Sequence, residues 1–331
     1  MTNYFSKTLI YILLILFGLF MIIPFIWMLS TSLMTQAEFN KNDAVFIPKE
    51  EHHVWNENGT EHKVILVTTE GDNSIIHVLD ENDQISDEYE EYMSVPSSEV
   101  NLVVKKPSFN WSNYVKAFNK VPFARYFANT IFVSIMTVIG VFITSVLAAY
   151  AFARLEFKGR DTLFYVFLSM MMVPQPIYLI SSYMLLDTLN WLDTYYALIV
   201  PWIANIFTIF LFRQHFKSLP QELFDAAAID GCSIFGMLWR IVLPLSKPII
   251  ATAMIFSLIG SWNSFMWPLV MTNRPELRVL QVGLSYFNQE ASTQTTLLMA
   301  ASTFSILPIL LIFFFMQKQI IASYAKAGLK D

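Results

Sequence analysis

The stretch Glu222-Leu-Phe-Asp-Ala-Ala-Ala-Ile-Asp-Gly-Cys-Ser233 is followed closely by Arg240-Ile-Val-Leu-Pro-Leu-Ser-Lys-Pro248. Both parts carry charges, and long apolar segments precede and follow them. Two helices of about 11 and 9 residues fit here, and neither could cross a bilayer at 1.5 Å per residue. Ser233 should cap the second helix, and Leu243-Pro244 should end it. The stretch is therefore predicted to be a helical loop between two membrane spans.

Local signals also predict the limits of the first of these helices. Ser218 with Gln221 three residues later is typical of a capping box, so a helix should run over about 219–229. Asp230-Gly231 should end it, because glycine adopts the left-handed conformation of a helix C-terminus without strain.

Length and composition indicate a polytopic membrane protein. The chain has 331 residues, 55% of them hydrophobic, and a mean hydropathy of +0.49, which is unlike a soluble domain. The net charge of −5 is unevenly distributed, since residues 34–125 carry −8 and the remainder carries +3. No nucleic-acid partner is predicted. The single Cys232 excludes an internal disulfide and a cysteine-rich metal site.

Six apolar runs are long enough to cross the bilayer. The first lacks a small-residue cleavage site, so we expect a retained helix and not a signal peptide. Lys and Arg concentrate in alternate short loops, and the positive-inside rule then predicts that both termini and the Glu222 stretch are cytoplasmic. The predicted spans are 8–32, 127–152, 163–186, 195–212, 249–270 and 296–316. The cytoplasmic cations are Arg154, Lys158, Arg160, Arg213, Lys217, Arg240, Lys247, Lys318, Lys326 and Lys330, whereas the outer loops hold Arg274 and Arg278.

A polar insertion, residues 37–107, separates the first two spans. Asn58-Gly59 between strand-like runs predicts a hairpin with a tight turn. Residues 75–79 and 100–104 predict further strands, so a small β-meander is expected on the extracytoplasmic side. The acidic stretch 80–91 is predicted to be a loop.

No cofactor or metal site is predicted in this chain. Gly231 and Gly236 have the spacing of a phosphate-binding loop, but Met237 and Leu238 follow where Lys and Ser or Thr are required. No arrangement of catalytic residues is evident, so the chain is not predicted to be an enzyme. ATP with Mg²⁺ should therefore bind another subunit. Glu51, His52, His53 and His62 could together bind a metal ion. Their spacing is not diagnostic of a metal site, so we interpret them as exposed strand and turn residues.

Polar and aromatic residues inside two predicted spans are candidates for a substrate pathway. Pro174-Gln-Pro176 should break or kink the third span, so Gln175 either lines a pathway or lies at a packed kink. Asn263 is an amide inside the fifth span, and such groups bridge helices or line a pathway. The neighbouring Trp262, Phe265 and Trp267 could stack on sugar faces or form an interfacial aromatic belt.

Three elements of the Glu222 stretch together resemble the EAA loop of ABC-importer permeases. They are Asp225-Ala-Ala227, Asp230-Gly231 and Leu243-Pro244, with Asp225 where the family usually has Glu. The segment Trp262-Asn-Ser-Phe-Met-Trp-Pro-Leu269 is similar to a pattern of carbohydrate-type permeases. The resemblance covers nearly all of residues 111–331 and the first span, and it is to inner-membrane permeases of the maltose-transporter type.

The resemblance implies an all-α polytopic membrane protein over residues 1–331, with six transmembrane helices, a cytoplasmic coupling helix within 219–242 and the β-rich insertion. It implies a bacterial or archaeal cytoplasmic membrane, a second homologous permease, an ABC ATPase dimer, an extracytoplasmic solute-binding protein and surrounding lipid. The substrate it implies is a carbohydrate, of the oligosaccharide kind. Gly231→Asp should then uncouple ATP hydrolysis from transport. The residues implied to contact the ATPase are Glu222, Leu223, Asp225, Ala226, Ala227, Asp230, Gly231, Arg240 and Pro244.

Three other functions remain open from the residues. The chain could be an ABC permease for a peptide or polyamine, against which the Trp262-Asn263 pair argues. It could be a secondary transporter or channel with an extracellular sensor domain, which would need an ion gradient and no ATPase. It could also be a membrane-anchored interaction protein whose function lies in the insertion.

Overall fold

The computed structural model describes residues 2–40, 46–48, 50–57, 60–79, 92–105, 109–288 and 294–327. The chain divides into two compact units, residues 1–117 with 287–303 and residues 118–286 with 304–331. Helices dominate, and one sheet lies between the first two long helices in the sequence. The predicted turn at Asn58-Gly59, the acidic stretch 80–91 and Lys330 lie outside the described residues.

The first unit contains the N-terminal helix, a short helix after it, and the helix that follows the sheet. These are α1 (Thr2–Ser32), α2 (Gln36–Asn40) and α3 (Ser112–Lys120); the last three residues of α3 belong to the second unit. The second unit is built around α4 (Phe123–Arg154). The following helices are α5 (Arg160–Met170), α6 (Gln175–Thr188), α7 (Tyr195–Ile199), α8 (Ile206–Ser218), α9 (Gln221–Ile229), α10 (Ile234–Met237), α11 (Leu243–Leu245), α12 (Lys247–Trp262), α13 (Met266–Met271), α14 (Leu280–Ser285) and α15 (Thr295–Ala327). Five of them pack against α4, namely α5, α7, α8, α12 and α14. The part of α15 up to Thr303 belongs to the first unit.

Four described segments are helical, long and apolar enough to cross a membrane, and two bent helix pairs meet the same criterion. The bends are 100° between α5 and α6 and 82° between the helical segment Ile234–Leu245 and α12. The chain is thus a multi-pass membrane protein with four to six candidate spans. The four unbent spans are Lys7–Ser32, Phe123–Arg154, Tyr195–Ser218 and Thr295–Gln317.

Two of the predicted continuous spans are interrupted. Within 195–212 the α-helix gives way to a 3-10 turn, Val200–Trp202, which contains Pro201, and regular α-helix begins again at Ile206. Within 249–270 the helix ends at Trp262 and begins again at Met266. Both runs are apolar on average, so their mean hydropathy does not reveal these breaks, although Asn205 and Asn263 lie at them.

The insertion forms a five-stranded sheet in the order β4-β3-β2-β1-β5, with antiparallel neighbours throughout. The strands predicted around Val54, His62, Ile75 and Val100 are present, and a short additional strand had no sequence signal. The strands are β1 (Glu50–Glu57), β2 (Thr60–Glu70), β3 (Asn73–Val78), β4 (Met93–Pro96) and β5 (Val100–Lys105).

The sheet curls upon itself because a short link joins its two edges. The edge strands β4 and β5 are separated by the three-residue turn Ser97–Glu99. That link reaches at most about 15 Å, whereas the edges of a flat five-stranded sheet lie about 19 Å apart. Trp55 Nε1 donates to Glu99 Oε2 at 3.2 Å. The enclosed face holds the apolar core of the insertion, which consists of Trp55, Val64, Ile76, Val78 and Val95.

Candidate functional site

The helix α9 is anchored by one face and exposed on the other. Phe224 is 6% exposed and packs in a core formed with α4, α8, α12 and the segment after α10, and Ala227 is also buried. The residues between and beside these two face solvent. This arrangement presents charged and apolar groups together on a surface fixed to the membrane helices. The exposed predicted residues are Glu222, Leu223, Asp225, Ala226, Asp230, Gly231, Arg240 and Pro244.

Arg154, the last residue of α4, holds α9 in place. Its guanidinium lies over the Phe224 ring at 3.9 Å from the centroid. It donates to the carbonyl oxygens of Phe216 at 2.5 Å and Leu219 at 2.7 Å, and to Gln221 Oε1 at 2.9 Å. A forked cation bound to several acceptors is well defined in position. Sequence reasoning identified Arg154 merely as a cytoplasmic cation, since its partners are more than sixty residues away.

The start of α9 differs from the prediction. Ser218 ends α8, and its hydroxyl donates to the His215 carbonyl at 2.8 Å instead of capping α9. Pro220 precedes α9 in an extended conformation and provides no side-chain cap. Its ring fixes φ and removes a donor, so the chain turns there. Gln221 Nε2 donates to Asp225 Oδ1 at 3.0 Å, so the capping-box prediction is wrong and Gln221 bonds within its own helix.

The predicted end of α9 at Gly231 is confirmed. Gly231 has φ +73°, and its N–H donates to Ala228 O at 3.0 Å while Cys232 N–H donates to Ala227 O at 2.9 Å. These two bonds form a Schellman motif, whose left-handed position favours glycine. A Cβ at Gly231 would have no neighbour within 4 Å, so the backbone conformation alone selects glycine here.

The second predicted helix begins as expected but does not end at Leu243-Pro244. Ser233 Oγ accepts from Gly236 N–H at 3.1 Å, which confirms the cap. The chain then widens into a π-helical turn, Leu238–Val242, in which Leu243 N–H donates to Leu238 O. The wider turn accommodates Pro244, which lacks a donor and would crowd a regular α-helix. Helical structure therefore continues through α11 to Leu245.

Several large apolar side chains are exposed beside the predicted contact residues. Ile229 is 88% exposed, and Ile234, Phe235 and Trp239 are exposed as well. Sequence reasoning missed them as candidate contacts because it followed the family motif. Their position directly before and after the Asp230-Gly231 turn was the available signal. A cluster of exposed apolar side chains is typical of a protein–protein contact.

A cavity of about 560 Å³ lies among the helices of the second unit. It brings together four of the five predicted pathway residues, Gln175, Asn263, Phe265 and Trp267, with Trp262 absent from the lining. The other lining residues are Thr130, Val133, Thr137, Leu198, Trp202, Asn205, Phe207, Thr208, Phe256, Ser257, Gly260, Ser261, Ser264, Met266, Pro268 and Val279.

The break predicted at Pro174-Gln-Pro176 is present and opens onto this cavity. Helix α5 ends at Met170, and α6 starts at Gln175 after Pro174 adopts an extended conformation. Asn263 occupies the other break, after α12, where its Nδ2 donates to Ile259 O at 3.0 Å and its Oδ1 accepts from Gln281 Nε2 at 3.3 Å. Both amides thus lie where helices are interrupted, as non-helical backbone at membrane depth requires a covered or polar setting.

The two tryptophans predicted to line the pathway are buried, and both donate hydrogen bonds to backbone carbonyls. Trp262 is 3% exposed, donates to Ser305 O at 3.1 Å and packs edge-on against Phe127. The structure therefore does not support Trp262 as a sugar-stacking platform. Trp267 is equally buried, donates to Ala197 O at 2.9 Å and contacts Trp202. Of the predicted aromatic residues, Phe265 keeps a face partly open to the cavity.

Asn205 is a lining residue that sequence reasoning missed. Its Oδ1 accepts from Thr208 N–H at 2.9 Å and from Thr208 Oγ1 at 3.0 Å, so it caps α8. An Asn four residues after Pro201 in an apolar run was the available signal for a helix start. Over the described part of the chain, no group of three His, Cys, Asp or Glu residues comes close enough to hold a metal ion.

Comparisons with known proteins place the chain in a family. Residues 131–326 match the family described as "Binding-protein-dependent transport system inner membrane component". The arabinooligosaccharides transport system permease protein AraQ of Bacillus subtilis (strain 168) is 33% identical over 241 residues, which is 71% of this chain and 86% of AraQ. The sn-glycerol-3-phosphate transport system permease protein UgpE of Yersinia pestis bv. Antiqua (strain Antiqua) is 31% identical, with coverages of 60% and 72%.

A solved structure has the same fold. It is the crystal structure of a bacterial ABC transporter involved in the import of the acidic polysaccharide alginate, with a TM-score of 0.68, 21% identity, and coverage of 96% of this chain and 98% of that one. The prediction from the Asp225–Gly231 motif is thereby confirmed at the level of the family. The chain belongs to the inner membrane components of binding-protein-dependent transport systems and is a transport subunit, not an enzyme.

Proposed function

We propose that this chain is one of two homologous permease subunits in an ATP-driven importer of oligosaccharides, receiving its substrate from an extracytoplasmic binding protein. The named relative AraQ supports the substrate class, since it is a permease for arabinooligosaccharides. A second solved structure, matched with a TM-score of 0.54, contains an alginate ABC transporter with a pentasaccharide-bound periplasmic protein. The proposed delivery of substrate by a binding protein is consistent with that complex.

The proposed topology has six spans, with each bent helix pair counted as one. Both termini and residues 219–242 are cytoplasmic, and the insertion 37–107 is extracytoplasmic. The support is the distribution of cations, since Arg154 ends α4 and both Arg213 and Lys217 lie in the C-terminal half of α8, on the proposed inner side. The cavity would then be half of a translocation pathway that the second permease completes.

The observation that carries this proposal is the one-sided anchoring of α9. Phe224 and Ala227 are buried and fix the helix to the membrane core, while Leu223, Ala226 and Ile229 are exposed. Such a rigid, partly apolar surface is suited to the groove of an ATPase subunit. Asp225 and Asp230 would add polar contacts at its edges.

The same helices connect α9 to the cavity. Arg154 lies at one end of α4, and Thr130, about 36 Å away along the helix at 1.5 Å per residue, lines the cavity. Helix α8 likewise runs from Asn205 at the cavity to Phe216 beside Arg154. Closure of the ATPase dimer would move α9, and these helices would transmit the motion as rigid bodies to open the pathway alternately.

Purification of the chain from its native membrane tests the proposal. A second permease and an ATPase should co-purify, and ATP hydrolysis should rise with one oligosaccharide together with its binding protein. Recovery of the chain alone, with no associated ATPase in mild detergents or nanodiscs, would contradict the proposal and favour a secondary transporter.

A further inference from the structure

The cavity in the second unit lacks ionisable side chains among the described residues that line it. Its polar groups are amides and hydroxyls, and they include Gln175, Asn205, Asn263, Ser257, Ser261 and Ser264. Resting on the proposed function, we infer that this half of the pathway selects uncharged glycans and rejects anionic ones such as uronates and phosphate esters. The relatives include permeases for both kinds of substrate by name, so the family alone does not decide between them.

Four polar side chains retain their hydrogen-bonding capacity for a ligand. Gln175, Ser257, Ser261 and Ser264 form no side-chain hydrogen bond to any other described residue. Amides and hydroxyls both donate and accept, and so do the hydroxyl groups of a neutral glycan. The partly exposed ring of Phe265 adds an apolar surface of the kind that sugar rings contact. The lining therefore matches a polyhydroxylated, uncharged molecule.

An anion would lose hydration in this cavity without gaining a cation. Two cations close in sequence to lining residues are directed at other groups and do not line the cavity. Arg278 lies over Tyr286 at 4.8 Å and donates to Asn273 O at 3.3 Å. Arg125 donates to Glu276 O at 3.1 Å. A charge at membrane depth is unfavourable unless a partner neutralises it.

Two of the helix starts at the cavity, those of α8 and α6, offer few free backbone donors to an anion. The N-terminus of α8 is capped by the Asn205 side chain, which accepts from Thr208 N–H. In the first turn of α6, Pro176 has no N–H, and Ile177 N–H donates to Pro174 O at 3.1 Å. Few backbone donors remain to hold an anion at either end.

Equilibrium dialysis of the full chain in nanodiscs tests the inference with size-matched probes. The neutral probes are mannotriose, galactotriose and arabinotriose, and the anionic probes are trimannuronate and trigalacturonate. The best neutral trisaccharide should bind at least about tenfold more tightly than either uronate.

Gln175→Arg should raise uronate affinity, because it supplies a cation to the lining. The ratio of neutral to uronate affinity should then fall by about tenfold. Ser261→Lys should act in the same direction if Gln175→Arg fails to fold.

Gln175→Leu is the matched control, since it removes the amide without adding charge and should leave uronate binding weak. A uronate that binds the unmodified chain as well as the best neutral probe would overturn the inference. Failure of every neutral probe to bind, or an unchanged ratio in both cationic variants, would overturn it too. Co-purification of the ATPase is scored separately, so a chain that binds uronates but captures the ATPase refutes the selectivity and leaves the proposed function standing.

Discussion

At the scale of single residues, Arg154 is the point where the membrane core holds α9. Its guanidinium donates to two backbone carbonyls and to the Gln221 side-chain oxygen, and it also lies over the Phe224 ring. We expect Arg154→Ala to destabilise the chain by about 2 kcal/mol, because charge-assisted hydrogen bonds are lost. The thermal midpoint in nanodiscs measures this. Sugar-stimulated ATPase activity of the assembled importer should fall at least about tenfold, since α9 loses its fixed position.

Arg154→Lys is the control for charge. Lysine keeps the cation but cannot serve several acceptors with a planar fork, so we expect an intermediate loss of stimulated activity. Full activity in Arg154→Ala would show that α9 is positioned by the packing of Phe224 alone. Equal loss in both variants would indicate that the fork, and not the charge, matters.

Substitutions at Gly231 test the backbone conformation alone, because a Cβ there would not clash with any neighbour. An L-residue in the left-handed region costs about 1–2 kcal/mol, and Asn tolerates it better than Ala. A Cβ here meets no atom within 4 Å, so Gly231→Ala should impair coupled ATPase activity more than Gly231→Asn. Gly231→Asp adds a negative charge beside Asp230 and should uncouple hydrolysis from transport. An Ala variant as active as the Asn variant would contradict the role of the Schellman turn.

At the scale of elements, sequence patterns predicted what local chemistry determines and missed what distant contacts determine. The Ser233 cap, the Gly231 turn and the break at Pro174 follow from one or two neighbouring residues, and all three are present. The π-turn before Pro244 could not be predicted, because Leu243-Pro244 is also a common helix end. The capping box at Ser218 failed because Pro220 intervenes and turns the chain.

The residues of the candidate site show the same difference between local and long-range signals. Gln175 and Asn263 were identifiable as polar groups in apolar spans, and both line the cavity. Trp262 has the same local pattern, but its ring is oriented inward by the Ser305 carbonyl, which lies 43 residues away. A single sequence offers no signal for such long-range contacts. The same reason explains why Arg154 was identified merely as a cation.

The curled sheet of the insertion depends on one large core residue. Trp55 is 5% exposed and packs with Val64, Ile76 and Val95. Trp55→Ala should cost about 3–5 kcal/mol of local stability, as buried aromatic truncations do. Hydrogen exchange should then accelerate throughout β1, β2 and β3 and stay unchanged in α4. Trp111→Ala, at a site that is 65% exposed, is the matched control and should leave both regions protected.

At the scale of the whole molecule, the two chain segments that flank the insertion lie side by side. Asn110 N–H donates to Leu33 O at 2.8 Å, and Asn113 Nδ2 donates to Ser32 O at 2.9 Å and Met34 O at 2.7 Å. A domain whose two ends are fixed together in this way can be removed with little cost in loop closure. The insertion and the spans are therefore expected to be separable in experiment.

Replacement of residues 37–107 by a short Gly/Ser linker should therefore leave assembly with the ATPase and basal hydrolysis within about twofold of the intact chain. If the insertion contacts the binding protein, the affinity of the importer for that protein should fall at least about tenfold, equivalent to about 1.4 kcal/mol. Gly231→Ala should give the opposite result, with binding-protein affinity kept and stimulated hydrolysis lost. Unchanged affinity after the deletion would exclude that contact. Loss of all function after the deletion, with Gly231→Ala fully active, would instead mean that the insertion carries the function of the molecule and that α9 does not couple it to an ATPase.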